Sequence, residues 1–308
     1  MLNEYQHPHV TLWLFVTNNC NRHCGYCKQT HTVDRTDNMS EDSLRYILDT
    51  CAKMYENKTV GNFLIQLAGG EPMLNFKMFK DIVPYYLDKF PHIFSFCMAT
   101  NGTIVDDEIV WWFKRHMPRL CLSLDSLRFS KPFKNESSAN LQLQNIEKLK
   151  RAGVTVSSIT VLSTQTAEEL LELAEWAVAN LSSWQINIQK PIVHSKKHLV
   201  SVLKPVISYL FKKQYFVRDA SYPRFRIDGW NLWAKSGIGG CPCGRSLFAV
   251  YPDLEVTPSC DFRSHLGKFN EDIQSFIEHP NNIVFKENRR PEFCNECKSQ
   301  QPPPKVVA

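Results

Sequence analysis

Residues 10–27 read VTLWLFVTNNCNRHCGYC, a run of β-branched and aromatic residues that leads into three closely spaced cysteines. Val10–Thr17 is rich in the residue types that favour strands, and the polar residues after it predict a strand end. The cysteines that follow, Cys20, Cys24 and Cys27, have the spacing C-x3-C-x2-C. This stretch therefore predicts a first β-strand that delivers three thiols to the loop at its carboxyl end.

Five further strand-like segments follow, and amphipathic stretches separate them. They are Asn62–Ala68, Ile93–Thr100, Leu120–Asp125, Val156–Ser163 and Trp184–Ile192. Strands that alternate with helices predict parallel βαβ units with the helices packed outside the sheet. Periodicity does not distinguish an open sheet from a partial barrel, but in both folds ligands bind at the carboxyl ends of the strands.

Capping residues mark two of the predicted helices. Ser40 is a predicted N-cap, and Thr166 with Glu169 forms a predicted capping box. The apolar residues after the first cap recur at helical spacing, namely Leu44, Ile47, Leu48, Cys51 and Tyr55. We expect a third helix over residues 194–214, interrupted near its proline, and a short hairpin over residues 246–256.

The composition is that of an ordinary globular protein, with 308 residues, 43% hydrophobic and 22% charged. No apolar run reaches the roughly 18–20 residues of a membrane helix, and the N-terminus does not resemble a secretory signal. The net charge of +5 is spread along the chain. We therefore expect a cytoplasmic protein with neither a membrane nor a nucleic acid as partner.

The chain holds eleven cysteines, an odd number in a sequence without an export signal, which favours metal or redox chemistry over disulfides. Cys51, Cys97 and Cys121 lie in apolar stretches, and we expect them in the core. Three clustered thiolates suit zinc, copper(I) or iron–sulfur. A structural zinc site needs four ligands, whereas three cysteines on a cubane cluster leave one iron open to another ligand.

The C-x3-C-x2-C motif, with an aromatic residue before its last cysteine, resembles that of the radical S-adenosylmethionine (SAM) superfamily. Gly69-Gly70-Glu71-Pro72, after the next predicted strand, resembles the GGEP motif of that family. The resemblance implies a partial (β/α)6 barrel of the TIM type. It further implies a [4Fe–4S] cluster on the three cysteines, SAM as the ligand of the open iron, and a flavodoxin- or ferredoxin-type electron donor.

The same resemblance implies a set of SAM contacts. The GGEP residues would meet the methionine amino group, and Ser123 and Asp125 in a Ser-Leu-Asp segment would meet the carboxylate or the ribose. The other implied contacts are Asn101 in a Thr-Asn-Gly segment, and Tyr26 and Leu162 beside the adenine. The chemistry implied is cleavage of SAM to a 5′-deoxyadenosyl radical that abstracts a substrate hydrogen.

The last quarter of the chain carries a second group of cysteines, which predicts a small metal-stapled module. Taken alone, these residues are compatible with a zinc ribbon. Behind a radical SAM core they resemble a Twitch domain, the shortened SPASM module, with an auxiliary [4Fe–4S] cluster. The implied ligands are Cys241, Cys260, Cys294 and Cys297, with Cys243 possible in place of Cys241. The predicted organisation is a radical SAM core over 1–214, an aromatic-rich bridge over 215–240, the Twitch-type domain over 241–300 and a tail over 301–308.

A fully ligated second cluster is suited to accepting an electron from a substrate radical. The layout resembles the Twitch-type dehydrogenases of aminoglycoside biosynthesis, which implies an oxidoreductase acting on a small polar, sugar- or cyclitol-like substrate. The alternatives are a SPASM-type maturase of a ribosomally made peptide and, outside enzymes, a zinc-stabilised binding protein. No catalytic acid or base is assigned, and Lys190, His194 and Arg226 are candidates by position only.

Overall fold

The structure is a computed structural model. It describes residues 9–27, 36–128, 137–163, 165–188, 196–215, 225–228, 246–258 and 264–287. The chain divides into two compact units. Among the described residues, the first unit takes in 9–21, 36–100 and 246–287, and the second takes in 22–27 and 101–228.

The first unit is built on a sheet in the order β3-β2-β1-β8-β9. Neighbouring strands from β3 to β8 run parallel, and the short β9 is antiparallel to β8. Its strands are β1 (His9–Thr17), β2 (Asn62–Gly69), β3 (Phe94–Thr100), β8 (Leu247–Val250) and β9 (Val256–Thr257). Its helices are α1 (Glu41–Glu56), a 3-10 helix (Pro72–Asn75), α2 (Phe76–Phe79), α3 (Ile82–Lys89), α8 (Ile273–Glu278) and α9 (Pro280–Glu287).

The second unit continues the alternation of strands and helices around a parallel sheet in the order β4-β5-β6-β7. Its strands are β4 (Arg119–Ser123), β5 (Thr155–Leu162), β6 (Ser183–Ile188) and β7 (Phe225–Asp228). Its helices are α4 (Asp107–His116), α5 (Ser137–Arg151), α6 (Ala167–Asn180) and α7 (Lys196–Lys212). The prediction of an α/β fold with a parallel sheet is therefore confirmed. The predicted domain boundaries remain predictions.

Side chains alternate between a fully buried face and a less buried face along the strands. In β1, Leu12 and Leu14 are fully buried, whereas Trp13 between them is partly exposed. In β5, Val156 is buried and its neighbour Ser157 is partly exposed. The buried face holds mainly aliphatic and aromatic residues, because burying their apolar surface is the main source of stability, although β5 also buries Ser158 and Thr160.

Capping residues start the helices where the sequence predicts them. The Ser40 hydroxyl accepts a hydrogen bond from the Ser43 N–H (3.1 Å), which caps α1. The capping box before α6 has both of its bonds, from the Glu169 N–H to Thr166 (3.2 Å) and from the Thr166 N–H to Glu169 (2.8 Å). Tyr55, predicted on the apolar face of α1, is instead 38% exposed, because it lies in the last turn before the helix ends.

Helix α7 runs through Pro205 without a break, so the predicted interruption is wrong. A proline inside a helix costs one backbone hydrogen bond and strains the preceding turn. Leu203, Val206 and Leu210 around it are fully buried, and α7 packs against α6. This packing outweighs the local cost.

Cys51 is fully buried, as predicted, but Cys97 and Cys121 are only partly buried. Both lie on the less buried faces of their strands, β3 and β4, at positions that alternate with buried residues. The prediction of a core position is therefore wrong for these two. The predicted hairpin near residue 250 is confirmed by the antiparallel pairing of β8 with β9.

Among the residues that the structure describes, no helix is both long enough and apolar enough to cross a bilayer.

We expect truncation of Leu12 to destabilise the protein far more than truncation of Leu64 on the neighbouring strand. Leu12 is fully buried, and its replacement by alanine leaves a cavity worth about 2–5 kcal/mol. Leu64 is 37% exposed and should cost about 1 kcal/mol or less. Thermal unfolding of the two variants measures the difference, and equal midpoints would contradict the burial of β1.

Candidate functional site

The turn after β2 packs directly against the turn after β1. The Gly70 N–H donates to the Thr17 carbonyl (2.8 Å), and the Glu71 N–H donates to the Asn19 carbonyl (2.7 Å). These two bonds continue the pairing of β1 with β2 beyond the strands. They hold the GGEP segment beside the residue that precedes Cys20.

Glycine is required at both positions of this contact. At Gly69 the backbone has φ +144°, and a Cβ would lie 2.2 Å from the Thr17 carbonyl oxygen. A Cβ on Gly70 would lie 2.1 Å from the Asn19 carbonyl oxygen. Both atoms are backbone, so they cannot move aside as a flexible side chain would. The two glycines thus let the turns after β1 and β2 approach each other.

Glu71 is fully buried at the end of this turn. Its Oε1 accepts hydrogen bonds from the Thr100 hydroxyl (2.6 Å) and from the Met73 N–H (3.0 Å). The first bond reaches the end of β3, and the second caps the 3-10 helix that begins at Pro72. Glu71 therefore joins three segments of the first unit, since a buried carboxylate must be paired with donors.

The three cysteines of the first motif lie in the loop after β1, and each side chain is partly exposed. The Cys27 N–H donates to the Cys24 carbonyl (2.9 Å), so residues 24–27 form a turn that we call the ligand turn. Gly25 at its tip is exposed, and a Cβ there would meet nothing within 4 Å. Within the described part of the chain, no three His, Cys, Asp or Glu side chains are grouped closely enough to share a metal ion.

This loop fits an iron–sulfur cluster by the chemistry of its donors. Thiolates are the ligands of such clusters, and three of them occur within eight residues. Their partial exposure leaves them accessible. In a chain without metal the cysteines need not be grouped, because metal binding and local folding are coupled.

Tyr26 of the ligand turn reaches the strand ends of the second unit. Its hydroxyl donates to Asp125 Oδ2 (2.5 Å), and Asp125 Oδ1 accepts a hydrogen bond from the Val161 N–H (2.7 Å). Asp125 follows β4 and Val161 lies in β5. Both carboxylate oxygens of Asp125 are therefore engaged within the protein.

Burial is the largest cause of the pKa shifts of Asp125 and Tyr26. It raises the pKa of Asp125 from the ordinary 3.8 to about 6, although the Tyr26 hydroxyl, the Val161 N–H and the positive charge of Arg22 act in the opposite direction. The pKa of Tyr26 is raised by burial and by the charge of Asp125, and a hydrogen bond with Cys24 adds to the rise. Tyr26 is consequently a neutral hydrogen-bond donor near pH 7.

The remaining predicted SAM contacts lie at the ends of β3, β4 and β5. The Asn101 side chain accepts hydrogen bonds from the Thr103 N–H (3.0 Å) and hydroxyl (2.6 Å), which shapes the turn after β3. Ser123, the last residue of β4, is partly exposed. Leu162 is fully buried at the end of β5, so it presents no exposed surface to a ligand.

Three buried amide side chains shape the strand ends of the second unit, and the sequence reasoning did not find them. Gln142 donates to the carbonyls of Asn101 and, at 2.7 Å, of Ser123, and Asn145 donates to the Gly102 carbonyl (2.9 Å). Both lie on α5 at helical spacing, on a face that is otherwise apolar. Polar residues that interrupt an apolar helix face are the sequence signal that could have identified them. The third, Gln165, donates to the carbonyls of Asp125 (3.1 Å) and Val161 (3.0 Å).

Several predicted residues fall outside the described residues, including all proposed ligands of the second cluster. They are Cys241, Cys243, Cys260, Cys294 and Cys297, together with Lys190 and His194. Arg226 lies in β7, but its side chain is not among those described.

A parallel α/β sheet with a cysteine-bearing loop after its first strand and a glycine-rich turn after its second strand defines a class of proteins that bind ligands at strand ends. Residues 14–177, more than half of the chain, match the sequence model of the Radical SAM superfamily. The chain therefore belongs to this superfamily of enzymes, which use a [4Fe–4S] cluster and SAM.

Two curated relatives match about three quarters or more of the chain. An uncharacterized protein of Methanocaldococcus jannaschii is 27% identical over 84% of this chain and 88% of its own length. A GTP 3′,8-cyclase of Clostridium perfringens is 25% identical over 74% of this chain and 70% of its own length.

Solved structures share the fold at low sequence identity. SuiB of Streptococcus suis superposes with a TM-score of 0.69 at 14% identity, over 91% of this chain and 68% of SuiB. The enzyme anSMEcpe, solved with bound SAM, superposes with a TM-score of 0.67 at 19% identity, over 90% of this chain and 79% of anSMEcpe. These likenesses support the parallel α/β fold.

We expect replacement of Gly70 by alanine to disrupt the turn after β2, whereas replacement of Gly25 should be tolerated. The added Cβ at Gly70 would collide with a backbone carbonyl, and at Gly25 it would point into open space. Thermal unfolding and the iron content after anaerobic reconstitution measure the effect. A Gly70→Ala variant as stable and as rich in iron as Gly25→Ala would contradict the contact between the turns.

Asp125 should make the stability of the protein depend on pH. With a folded pKa of about 6 and an unfolded pKa near 3.8, the folded chain binds more protons between these values. The stabilisation due to protonated Asp125 is therefore present at low pH and is lost as the pH rises through about 6. Asp125→Asn removes this titration.

The unfolding midpoint of the wild type should consequently rise relative to that of Asp125→Asn as the pH falls from 7 to 4.5. Comparing the two proteins at each pH cancels the other titrating groups. A difference in midpoint that stays constant, or that changes in favour of the variant at low pH, would show that burial does not raise the pKa of Asp125.

Proposed function

We propose that this chain is a radical SAM oxidoreductase that oxidises a small polar substrate, with a sugar- or cyclitol-like alcohol as the preferred class. The observation that carries the proposal is the loop with Cys20, Cys24 and Cys27, which begins next to the GGEP turn at Asn19, within the segment that matches the superfamily. When bound, a [4Fe–4S] cluster and SAM supply a 5′-deoxyadenosyl radical able to abstract a substrate hydrogen.

The residues of the GGEP turn are suited to orienting the methionine end of SAM. Gly69 and Gly70 hold the turn against the residue before Cys20, and Glu71 fixes its far end by bonding to Thr100. Carbonyl oxygens at such a turn are acceptors for an ammonium group. Because the Glu71 carboxylate is fully buried, we assign it to holding the turn.

The less buried face of the sheet in the second unit supports a polar substrate. Its partly exposed side chains include a hydroxyl from Ser157 in β5 and two amides from Gln185 and Asn187 in β6. The Gln185 amide donates to Asn187 (2.5 Å). Hydroxyl and amide groups are hydrogen-bond partners for alcohols. A relative named for acting on GTP is consistent with a small polar substrate.

Four cysteines near the C-terminus would hold a second [4Fe–4S] cluster. We propose Cys241, Cys260, Cys294 and Cys297, with Cys243 as the alternative to Cys241. With four thiolate ligands such a cluster supplies an electron acceptor, which is what a net oxidation requires. The electron that starts the reaction would come from a flavodoxin- or ferredoxin-type donor.

Modification of a peptide is the second candidate function. SuiB has been solved with its precursor peptide SuiA and anSMEcpe with a bound peptide, and both share the fold of this chain. The same cysteine loop and GGEP turn would serve either substrate class. A zinc-stabilised binding protein, by contrast, does not account for membership of the superfamily.

The metal content of the anaerobically purified chain tests the proposal. Two cubane clusters require about eight irons and eight sulfides per chain. Replacing Cys20, Cys24 and Cys27 together by alanine should remove about four irons and abolish release of 5′-deoxyadenosine from SAM. Replacing Cys260 and Cys294 should remove the other four while leaving SAM cleavage in place.

Cys97→Ala is the matched control, because Cys97 is partly exposed but belongs to neither motif. Its iron content should equal that of the wild type. A panel of sugar alcohols, nucleotides and peptides, scored by release of 5′-deoxyadenosine and by an oxidised product, then separates the two substrate classes. Recovery of intact SAM under reducing conditions would exclude the radical function, and zinc without sulfide would exclude the clusters.

A further inference from the structure

The ligand turn is closed by a backbone hydrogen bond from the Cys27 N–H to the Cys24 carbonyl. Gly25 lies at its tip, and a Cβ at this position would meet no atom within 4 Å. A short turn with a glycine at its tip loses much conformational entropy when it is fixed. A side-chain contact to a fixed partner offsets part of this cost.

Tyr26 is the side chain of this turn that reaches a buried partner. Its hydroxyl donates to Asp125 Oδ2 at 2.5 Å, a hydrogen bond between residues 99 positions apart in the sequence. The Tyr26 hydroxyl also forms a hydrogen bond with Cys24, so it contacts both the ligand turn and Asp125. Bonds to a carboxylate are stronger than bonds between neutral groups.

Asp125 is held rigidly by β5. Its Oδ1 accepts from the Val161 N–H (2.7 Å), and its backbone carbonyl accepts from Gln165 (3.1 Å). The preceding residue, Leu124, donates its N–H to the Ile159 carbonyl (3.0 Å). The carboxylate thus has a fixed position, to which a flexible turn can be tied.

The residues that support Asp125 are also hydrogen-bonded to one another. The Thr160 hydroxyl donates to the Leu124 carbonyl (2.6 Å), and the Thr160 oxygen accepts from the Trp184 indole N–H (2.8 Å). Trp184 and Thr160 are almost completely buried. Asp125 is therefore supported by the packed strands β4, β5 and β6.

We propose that the Tyr26–Asp125 hydrogen bond is a positioning contact that fixes the ligand turn against the ends of β4 and β5 and so presents Cys24 and Cys27 to the cluster. This inference rests on the proposed function and assigns both residues a role different from contacting SAM. Tyr26 and Asp125 act here through the cysteines and are positioning residues.

Hydrogen exchange of the cluster-free chain tests the contact without using activity. Tyr26→Phe and Asp125→Ala should each make the amides of residues 24–27 exchange roughly 10- to 100-fold faster, since each removes a bond to a charged group. Asp125→Asn should restore protection, because its Oδ1 can accept from Val161 while its amide donates to the Tyr26 oxygen. The double variant with Phe and Ala should exchange no faster than either single variant.

The matched control is Tyr86→Phe. The Tyr86 hydroxyl donates to Asp49 at 2.6 Å, which is the same kind of bond between α3 and α1. Its loss should lower the unfolding midpoint without changing exchange in the ligand turn. Equal exchange of the turn in Tyr26→Phe and Tyr86→Phe would overturn the proposal.

Reconstitution with iron and sulfide gives the second readout. Tyr26→Phe should retain fewer irons per chain than the control variant, and the electron paramagnetic resonance spectrum of its reduced cluster should be broader. A wild type that takes up no iron would refute the proposed function, while the exchange result would still report on the contact. A Tyr26→Phe protein with full iron content and an unchanged spectrum would refute the positioning role.

Discussion

The close approach of two backbone turns is the constraint on which the candidate site depends. The strands β1 and β2 are paired in register, and their pairing continues through Gly70 to Thr17 and through Glu71 to Asn19. A side chain at either glycine would force these carbonyls away, since its Cβ would lie 2.2 or 2.1 Å from a carbonyl oxygen and real Cβ atoms essentially never come closer than 3.0 Å. The cysteine loop therefore starts from a position that the second strand determines.

Each unit has a buried carboxylate at its strand ends. In the first unit Glu71 bonds to Thr100 and to the Met73 N–H, and in the second Asp125 bonds to Tyr26 and to the Val161 N–H. Burying a carboxylate is costly unless donors surround it. The two residues carry this cost while each ties together segments that are distant in sequence. A fixed network is what a site needs in order to orient a reactive ligand.

Much of the fold could be predicted from local patterns. The six predicted strands lie within two residues of their observed bounds, except that the predicted end of the sixth, Ile192, lies outside the described residues. They were predictable because β-branched runs and turn residues are local signals. The predicted interruption at Pro205 was wrong because the tertiary packing of α7 overrides a local helix breaker. Cys97 and Cys121 misled because a strand alternates between two faces, and an apolar neighbourhood does not say which face a residue occupies.

The hydrogen bonds of the site could not be predicted in this way. The cysteine and GGEP motifs were visible as patterns, but Gln142, Asn145 and Gln165 bond to carbonyls that other elements supply. Such partners depend on the folded arrangement of helix and strand. The spacing of the motifs therefore identifies candidate ligand-binding residues more readily than the residues that hold the strand ends in place.

The long sequence separation within the site also bears on the order in which it forms. Tyr26 and Asp125 are 99 residues apart, so their bond closes a large loop and gains nothing until β4 and β5 have paired. On the proposed function, a cluster bound by the ligand turn would therefore be acquired by a chain that is already folded around Asp125. Its binding would add to the stability of the parallel sheet instead of creating it, unlike the metal in a small domain that has no core of its own.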